Sequence, residues 1–266
     1  MAASMSRFGA WWAWAIFIIA ALYMLVPLVA TFQFSLQQNP TGEAYRYIFN
    51  DVKFFAGLGY SFLVAVITIV ISLLIIVPTA YWVRLKLPRL RPFIEFMTLL
   101  PFVVPPIILV FGLIRSYGRP PLAITSLPHG SDVVLIGAYV VLSFPYMYRA
   151  VDAGLASLDV RSLTEAAQSM GSGWPRILLR VIFPNLRVAI LSGAFLTLAI
   201  VVGEFTIASY LAPWSFAPYL SQLGVFKAWS AAAVSIISFM LTWAAMGILI
   251  LASRGSAGRV QIAGAR

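Results

Sequence analysis

Apolar positions along the chain gather into six long runs, at about 10–32, 58–83, 92–114, 133–149, 186–211 and 228–252, separated by shorter polar segments. An α-helix needs roughly 20 apolar residues to cross the hydrocarbon core of a bilayer. In lipid every backbone polar group must be satisfied inside the protein, so runs of this length read as helices. The pattern predicts an all-α integral membrane protein with six transmembrane helices. The first run follows Arg7 and is longer than the roughly 7–15 residues of a secretory signal core. Trp11, Trp12 and Trp14 stand where an interfacial aromatic belt would anchor it. It is read as a retained span.

The polar segments carry the orientation. Six spans put both termini on one side. The two tails, the loop after span two and the loop after span four hold thirteen of the eighteen Lys and Arg: Arg7; Arg84, Lys86, Arg89, Arg91; Arg149, Arg161, Arg176, Arg180, Arg187; Arg254, Arg259, Arg266. The opposite loops hold the other five, Arg46, Lys53, Arg115, Arg119 and Lys227. The positive-inside rule then predicts cytoplasmic termini and a cytoplasmic 150–187 loop. It also accounts for the net charge of +10 without nucleic acid as a partner.

Two spans contain residues at odds with a plain lipid-facing helix. In the third, Pro101, Pro105 and Pro106 remove backbone donors, so the helix is expected to kink or unwind. Such a kink serves either packing or the lining of a pathway. In the fifth, Glu204 lies in LAIVVGEFTIASYL, towards the outer third of the span. A carboxylate near a helix centre costs roughly 2.5–3.5 kcal/mol on insertion scales and needs a compensating partner. Three readings are open: a cationic solute in a central pathway, a basic or hydroxyl group on an adjacent subunit, or a protonated or hydrated carboxyl. Glu95 reads as a boundary charge beside Arg89 and Arg91. The outer segments 32–58 and 115–132, the latter rich in Pro and Gly, are irregular connections that could meet another protein.

The loop between spans four and five, LDVRSLTEAAQSMGSGWPRILLRVIFP from Leu158 to Pro184, is the most informative segment. Ser162 and Glu165 have the S-x-x-E spacing of a capping box, which predicts a helix starting at Ser162. Gly171 supplies the left-handed residue that ends it, giving about two turns. Ser172 offers a second cap, and Pro175 suits an early position in a helix that resumes over 176–181. An isolated helix this short needs packing to persist. The small Ala166 and Ala167 side chains would allow another surface to approach, and the loop is read as a docking device.

These residues resemble the inner-membrane permease subunits of ATP-binding cassette importers, whose pattern is E-A-A, three residues, G, nine residues, I-x-L-P. Glu165, Ala166, Ala167 and Gly171 match its first part, and Val181, Ile182, Phe183 and Pro184 stand at its end, with Val and Phe replacing Ile and Leu. The resemblance implies the type I importer permease fold: six spans with a short cytoplasmic coupling helix between spans four and five. It implies one permease domain over 1–266, with a variable first span at about 10–32 and a core at about 57–252. Glu165, Ala166, Ala167 and Gly171 would then seat in a cytosolic ATPase dimer. A second permease, as a homodimer or heterodimer, would complete the pathway, and an extracytoplasmic solute-binding protein would deliver solute. The setting implied is a bacterial inner membrane, with membrane lipid as a further partner. The segments LLPFVVPPIILV and GEFTIASYL look similar to the subgroup serving polyamines, ferric iron, thiamine or phosphonates. Glu204 tilts the expectation towards a polyamine such as spermidine or putrescine, with the other three as alternatives.

Composition narrows the remaining classes. The chain of 266 residues is 62% hydrophobic and 10% charged, against about 25% charged in soluble domains. It contains no Cys and a single His, His129, so a thiolate nucleophile, a disulfide and a zinc cluster are not expected. There is no G-x-x-x-x-G-K-[ST] phosphate loop. The chain is not expected to be an enzyme or to hold a cofactor or metal; ATP and Mg would sit on the partner ATPase. An ATPase-independent secondary transporter or channel is the competing class. It would show several deep ionisable residues or matched broken helices in two halves, and Glu204 alone is a good deep candidate.

Overall fold

The computed structural model describes residues 7–38 and 40–257, which are helical without strands. Arg259 and Arg266 lie outside the described residues, as do the side chains of Arg7, Trp11 and Arg254. In chain order the helices are α1 (Arg7–Ser35), α2 (Glu43–Asn50), α3 (Val52–Lys86), α4 (Arg91–Val103), α5 (Pro106–Tyr117), α6 (Gly130–Ala156) and α7 (Val160–Ser169). There follow α8 (Trp174–Ile177), a π-helical stretch over Leu178–Ile182, α9 (Phe183–Asn185), α10 (Arg187–Gly203), α11 (Thr206–Leu211), α12 (Phe216–Phe226) and α13 (Ala228–Ala257). Among the described residues four helices are long and apolar enough to cross a membrane, and six spans result when each of two bent pairs counts as one.

The double proline decides where the third span breaks. Pro105 and Pro106 lack amide hydrogens, and a residue before proline is pushed out of the α region. Val104 and Pro105 accordingly have ψ of 119° and 134°, and the two halves meet at 92°. Pro101 remains inside α4, so the pair alone makes the break. The fifth span differs from the expected 186–211. Its apolar helix α10 stops at Gly203, and the preceding segment Trp174–Asn185 meets it at 79°.

The chain divides into two compact units, Met1–Val52 with Leu220–Leu241, and Lys53–Tyr219 with Thr242–Arg266. Within the first, Ser35 and Tyr45 share a 2.8 Å hydroxyl hydrogen bond, Lys227 Nζ lies 3.6 Å from the Tyr47 ring centroid, and Phe34 meets Trp229 at 6.3 Å. The second is built around α3, α6 and α10. On α3 the buried stripe Gly57, Ser61, Ala65, Thr68, Ser72, Ile76 and Ala80 is mostly small, which lets backbones approach where lipid offers no hydrophobic drive. Ser72 and Ser143 join α3 to α6 by a buried 2.6 Å hydrogen bond. Between α6 and α10 a Cβ on Gly154 would lie 2.6 Å from Ala189 Cβ, and one on Gly193 2.8 Å from Met147 Sδ. These contacts leave two apolar clusters, one joining Tyr81, Met147, Val160 and Ile182, the other Ala65, Val110, Tyr139 and Ile207.

Candidate functional site

The loop helix forms where expected but begins differently. Asp159, not Ser162, is the N-cap of α7: its Oδ1 accepts from Ser162 N at 3.1 Å, and its Oδ2 accepts from Ser162 Oγ at 2.7 Å. An Asp three residues before Ser162 takes the first-turn amide and the serine hydroxyl together, which starts the helix two residues early. The Ser162 hydroxyl, with its amide, holds the Asp159 carboxyl below its ordinary value. Glu165 does not reach back to close a capping box. Its Oε1 receives Arg161 Nε at 2.8 Å on the exposed face. The same pairing raises the Arg161 guanidinium above its ordinary value.

At the other end, Gly171 N donates to Gln168 O at 2.8 Å and Ser172 N to Ala167 O at 3.0 Å, with Gly171 at φ +75°. These are the two bonds of a Schellman cap, which calls for a left-handed residue at this position. No atom lies within 4 Å of a Cβ there, so the glycine answers conformation, not space. The next segment begins at Trp174 with Gly173 as its cap and Pro175 in its first turn; Ser172 does not cap it.

The start at Val160 sets which residues face out. Val160, Thr164 and Ala167 are buried, while Arg161, Glu165, Ala166, Ser169, Met170 and Gly171 are exposed. Ala167, at 3% exposure, packs inside its own chain and cannot offer the outer surface expected of it. Met170, 80% exposed, joins the outward face. The sequence reads it only as a helix-continuing residue and not as an outward contact, although its position beside Gly171 was the available signal.

Glu204 has its compensating partners within the chain. It sits in extended backbone, ψ 119°, between α10 and α11. Its two oxygens accept from Ile207 N at 3.0 and 2.9 Å, and Oε2 also accepts from Ala208 N at 3.0 Å and from Tyr139 Oη at 3.1 Å. The carboxylate therefore caps α11, satisfying amides that a helix start leaves without intrahelical acceptors. None of the three sequence readings included this one.

A second carboxylate was missed. Asp152, 9% exposed near the end of α6, meets Arg84 Nη1 of α3 at 3.3 Å and Arg91 Nη2 of α4 at 2.6 Å. Arg91 Nε also reaches Glu95 at 3.0 Å. The signal was an acid one turn after Arg149, facing the RLKLPRLR run. Among the described residues no group of three or more His, Asp or Glu gathers as metal ligands would.

Residues 77–253, which take in α7, Asp152 and Glu204, match the binding-protein-dependent transport system inner membrane component family. The chain belongs to this family. The permease is 30% identical over 191 residues to a probable molybdenum ABC transporter permease protein of Haloferax volcanii, over 70% of this chain and 68% of that one. It is 29% identical over 156 residues to the spermidine/putrescine transport system permease protein of Haemophilus influenzae, spanning about half of that relative, 54%. The crystal structure of a bacterial ABC transporter involved in the import of the acidic polysaccharide alginate is similar with a TM-score of 0.70. That likeness covers 94% of this chain and 98% of the other at 18% identity, and concerns the fold alone. The permease is a multi-pass membrane protein of the ABC importer type.

Proposed function

We propose that this permease forms half of a solute pathway with a second permease subunit, and that α7 is the coupling helix through which a cytosolic ATPase dimer drives it. The observation that carries the reading is the division of α7 into a buried stripe and an exposed face bearing Glu165, Ala166 and Met170, ended by the left-handed Gly171. A short helix gripped on one side and bare on the other suits a protein that must receive a push. Thirteen basic residues on the tails and α7-side loops favour cytoplasmic termini. Solute would arrive from an extracytoplasmic binding protein, and ATP and Mg would belong to the ATPase. The test is to substitute Glu165→Lys and Gly171→Val in the inserted chain. Uptake and recovery of the ATPase should both fall; wild-type levels of both would refute the docking role.

Two substrate readings divide on Glu204. The polyamine reading needs its carboxylate to meet an amine, and the relative named for spermidine/putrescine supports it. An oxyanion reading is supported by the relative named for molybdenum, and by the four contacts that already occupy the Glu204 oxygens. Stimulation of ATP hydrolysis in the reconstituted complex by spermidine or by molybdate, each with its binding protein, separates them.

A further inference from the structure

The buried stripe of α7 is not purely apolar. Thr164, 2% exposed, lies between Val160 and Ala167, and its Oγ1 donates to Val160 O at 2.6 Å. The same oxygen is 2.8 Å from Tyr81 Oη on α3, 83 residues earlier. A threonine hydroxyl has one hydrogen to give. With that hydrogen on the Val160 carbonyl, the phenol is the donor of the second bond and Thr164 the acceptor. Tyr81 is itself 0% exposed, so its hydrogen has no water to fall back on.

The next segment is held by the same end of α3. The Tyr81 ring meets Trp174 edge-on at 6.0 Å, Trp82 packs against Trp174 at 4.7 Å, and Lys86 Nζ lies 6.0 Å from that ring. Both sides of the Gly171 turn are thus fastened to the last two turns of α3. Apolar contact is non-directional and lets surfaces slide. A buried, directed hydrogen bond has one good geometry and fixes the register between the two helices.

We propose that Tyr81 is a positioning residue of the coupling step: through Thr164 it latches α7 to α3, so that a displacement of α7 carries the span with it. This rests on α7 being the helix that meets the ATPase. It assigns the transmitted motion to a particular pair of side chains.

The test compares Tyr81→Phe, Thr164→Val and Thr164→Ser in the complex with the cognate ATPase and binding protein in proteoliposomes, alongside amide exchange of residues 160–169 in each permease. Tyr81→Phe and Thr164→Val should leave ATPase recovery and basal hydrolysis unchanged while uptake per ATP falls. Exchange in α7 should rise about fivefold, the equivalent of one ordinary hydrogen bond of about 1 kcal/mol. Thr164→Ser keeps the hydroxyl and should restore both. A general packing defect would lower recovery and would not be rescued by serine. Unchanged exchange in both hydroxyl-deleting variants would overturn the latch. Faster exchange with a wild-type ratio of uptake to hydrolysis would overturn its coupling role. Failure of the wild-type chain to bind the ATPase would refute the reading of α7 and the coupling role with it, and a rise in exchange would show the latch itself to be intact.

Discussion

Removing Glu204 in steps separates a carboxylate that holds a helix from one that holds a solute. The structure gives it three donors: the Ile207 and Ala208 amides, on residues 0% and 2% exposed, and the Tyr139 hydroxyl. Glu204→Gln keeps an oxygen that can stand where Oε2 stands and accept from all three, so charge assistance is what it loses. Hydrogen bonds to a charged group contribute about 1.5–3 kcal/mol against about 0.5–1.5 for neutral ones, which puts the cost near 1 kcal/mol for each bond and at about 3 kcal/mol for the three. Glu204→Ala leaves two amides and a phenol without an acceptor. At about 1–3 kcal/mol for each buried donor left unsatisfied, the cost is about 3–9 kcal/mol, less whatever water enters the break. The alanine variant should therefore be the more damaging of the two.

The assay is thermal unfolding of the permease in detergent, with uptake of one cationic and one anionic solute by the reconstituted complex. Stability should fall from wild type through Gln to Ala, with uptake of both solutes falling in the same order. Tyr139→Phe, which removes one donor and leaves the cap, should lie close to Gln. The cap account is refuted if Glu204→Gln abolishes uptake of the cationic solute alone while its stability equals that of wild type. That outcome would return the residue to the pathway and strengthen the polyamine reading.

Three further tests probe the supporting structure. Asp152→Ala should destabilise by about 1–3 kcal/mol, because it strips charged hydrogen bonds from Arg84 and Arg91; thermal unfolding should show the loss, and Asp152→Asn should recover part of it. Gly154→Ala places a Cβ 2.6 Å from Ala189 Cβ and 2.9 Å from Leu186 Cδ2 and should cost about 1–3 kcal/mol by overpacking, with Ala189→Gly as the compensating change in the same assay. The α7 cap should be acid-sensitive with a definite sign: the Asp159 carboxyl is held below its ordinary value, so its contribution is complete above that ordinary value and is lost as pH falls through the lowered one. Relative to neutral pH, amide protection at Val160–Leu163 should weaken in acid in the wild type, and Asp159→Asn should flatten that dependence.

Much of this was legible because membrane helices advertise themselves by length and apolarity alone. The six runs reappear as four long helices and two bent pairs. The double proline break was legible for a local reason, since the restriction on the residue before proline needs no neighbour. Gly171 was legible likewise, because the cap that requires it closes within six residues. What failed was choice among local alternatives. Both Asp159 and Ser162 are good N-caps, and S-x-x-E pointed to the latter. The chain starts at the former, which brings Val160 onto the same buried face as Thr164 and Ala167. Thr164 pairing with Tyr81 and Asp152 pairing with Arg84 and Arg91 join residues 61 to 83 positions apart, and no periodicity encodes such separations.

The breaks between α4 and α5 and between α10 and α11 solve one problem by opposite means. A helix that restarts inside a membrane presents amides with no water to take them. At the first break the prolines delete two of those donors, and the Pro105 carbonyl accepts from Ile108 and Leu109, so no acid is needed. At the second the residues after the break are Phe205, Thr206, Ile207 and Ala208, all of which keep their amides. Glu204 supplies the acceptor there. The acid between α10 and α11 therefore follows from a break made without proline, and the backbone it caps offsets the cost of placing a carboxylate there. Its presence in the sequence is evidence for the interruption first. A role in binding solute would have to be shown on top of that, by a selectivity that its structural work does not predict.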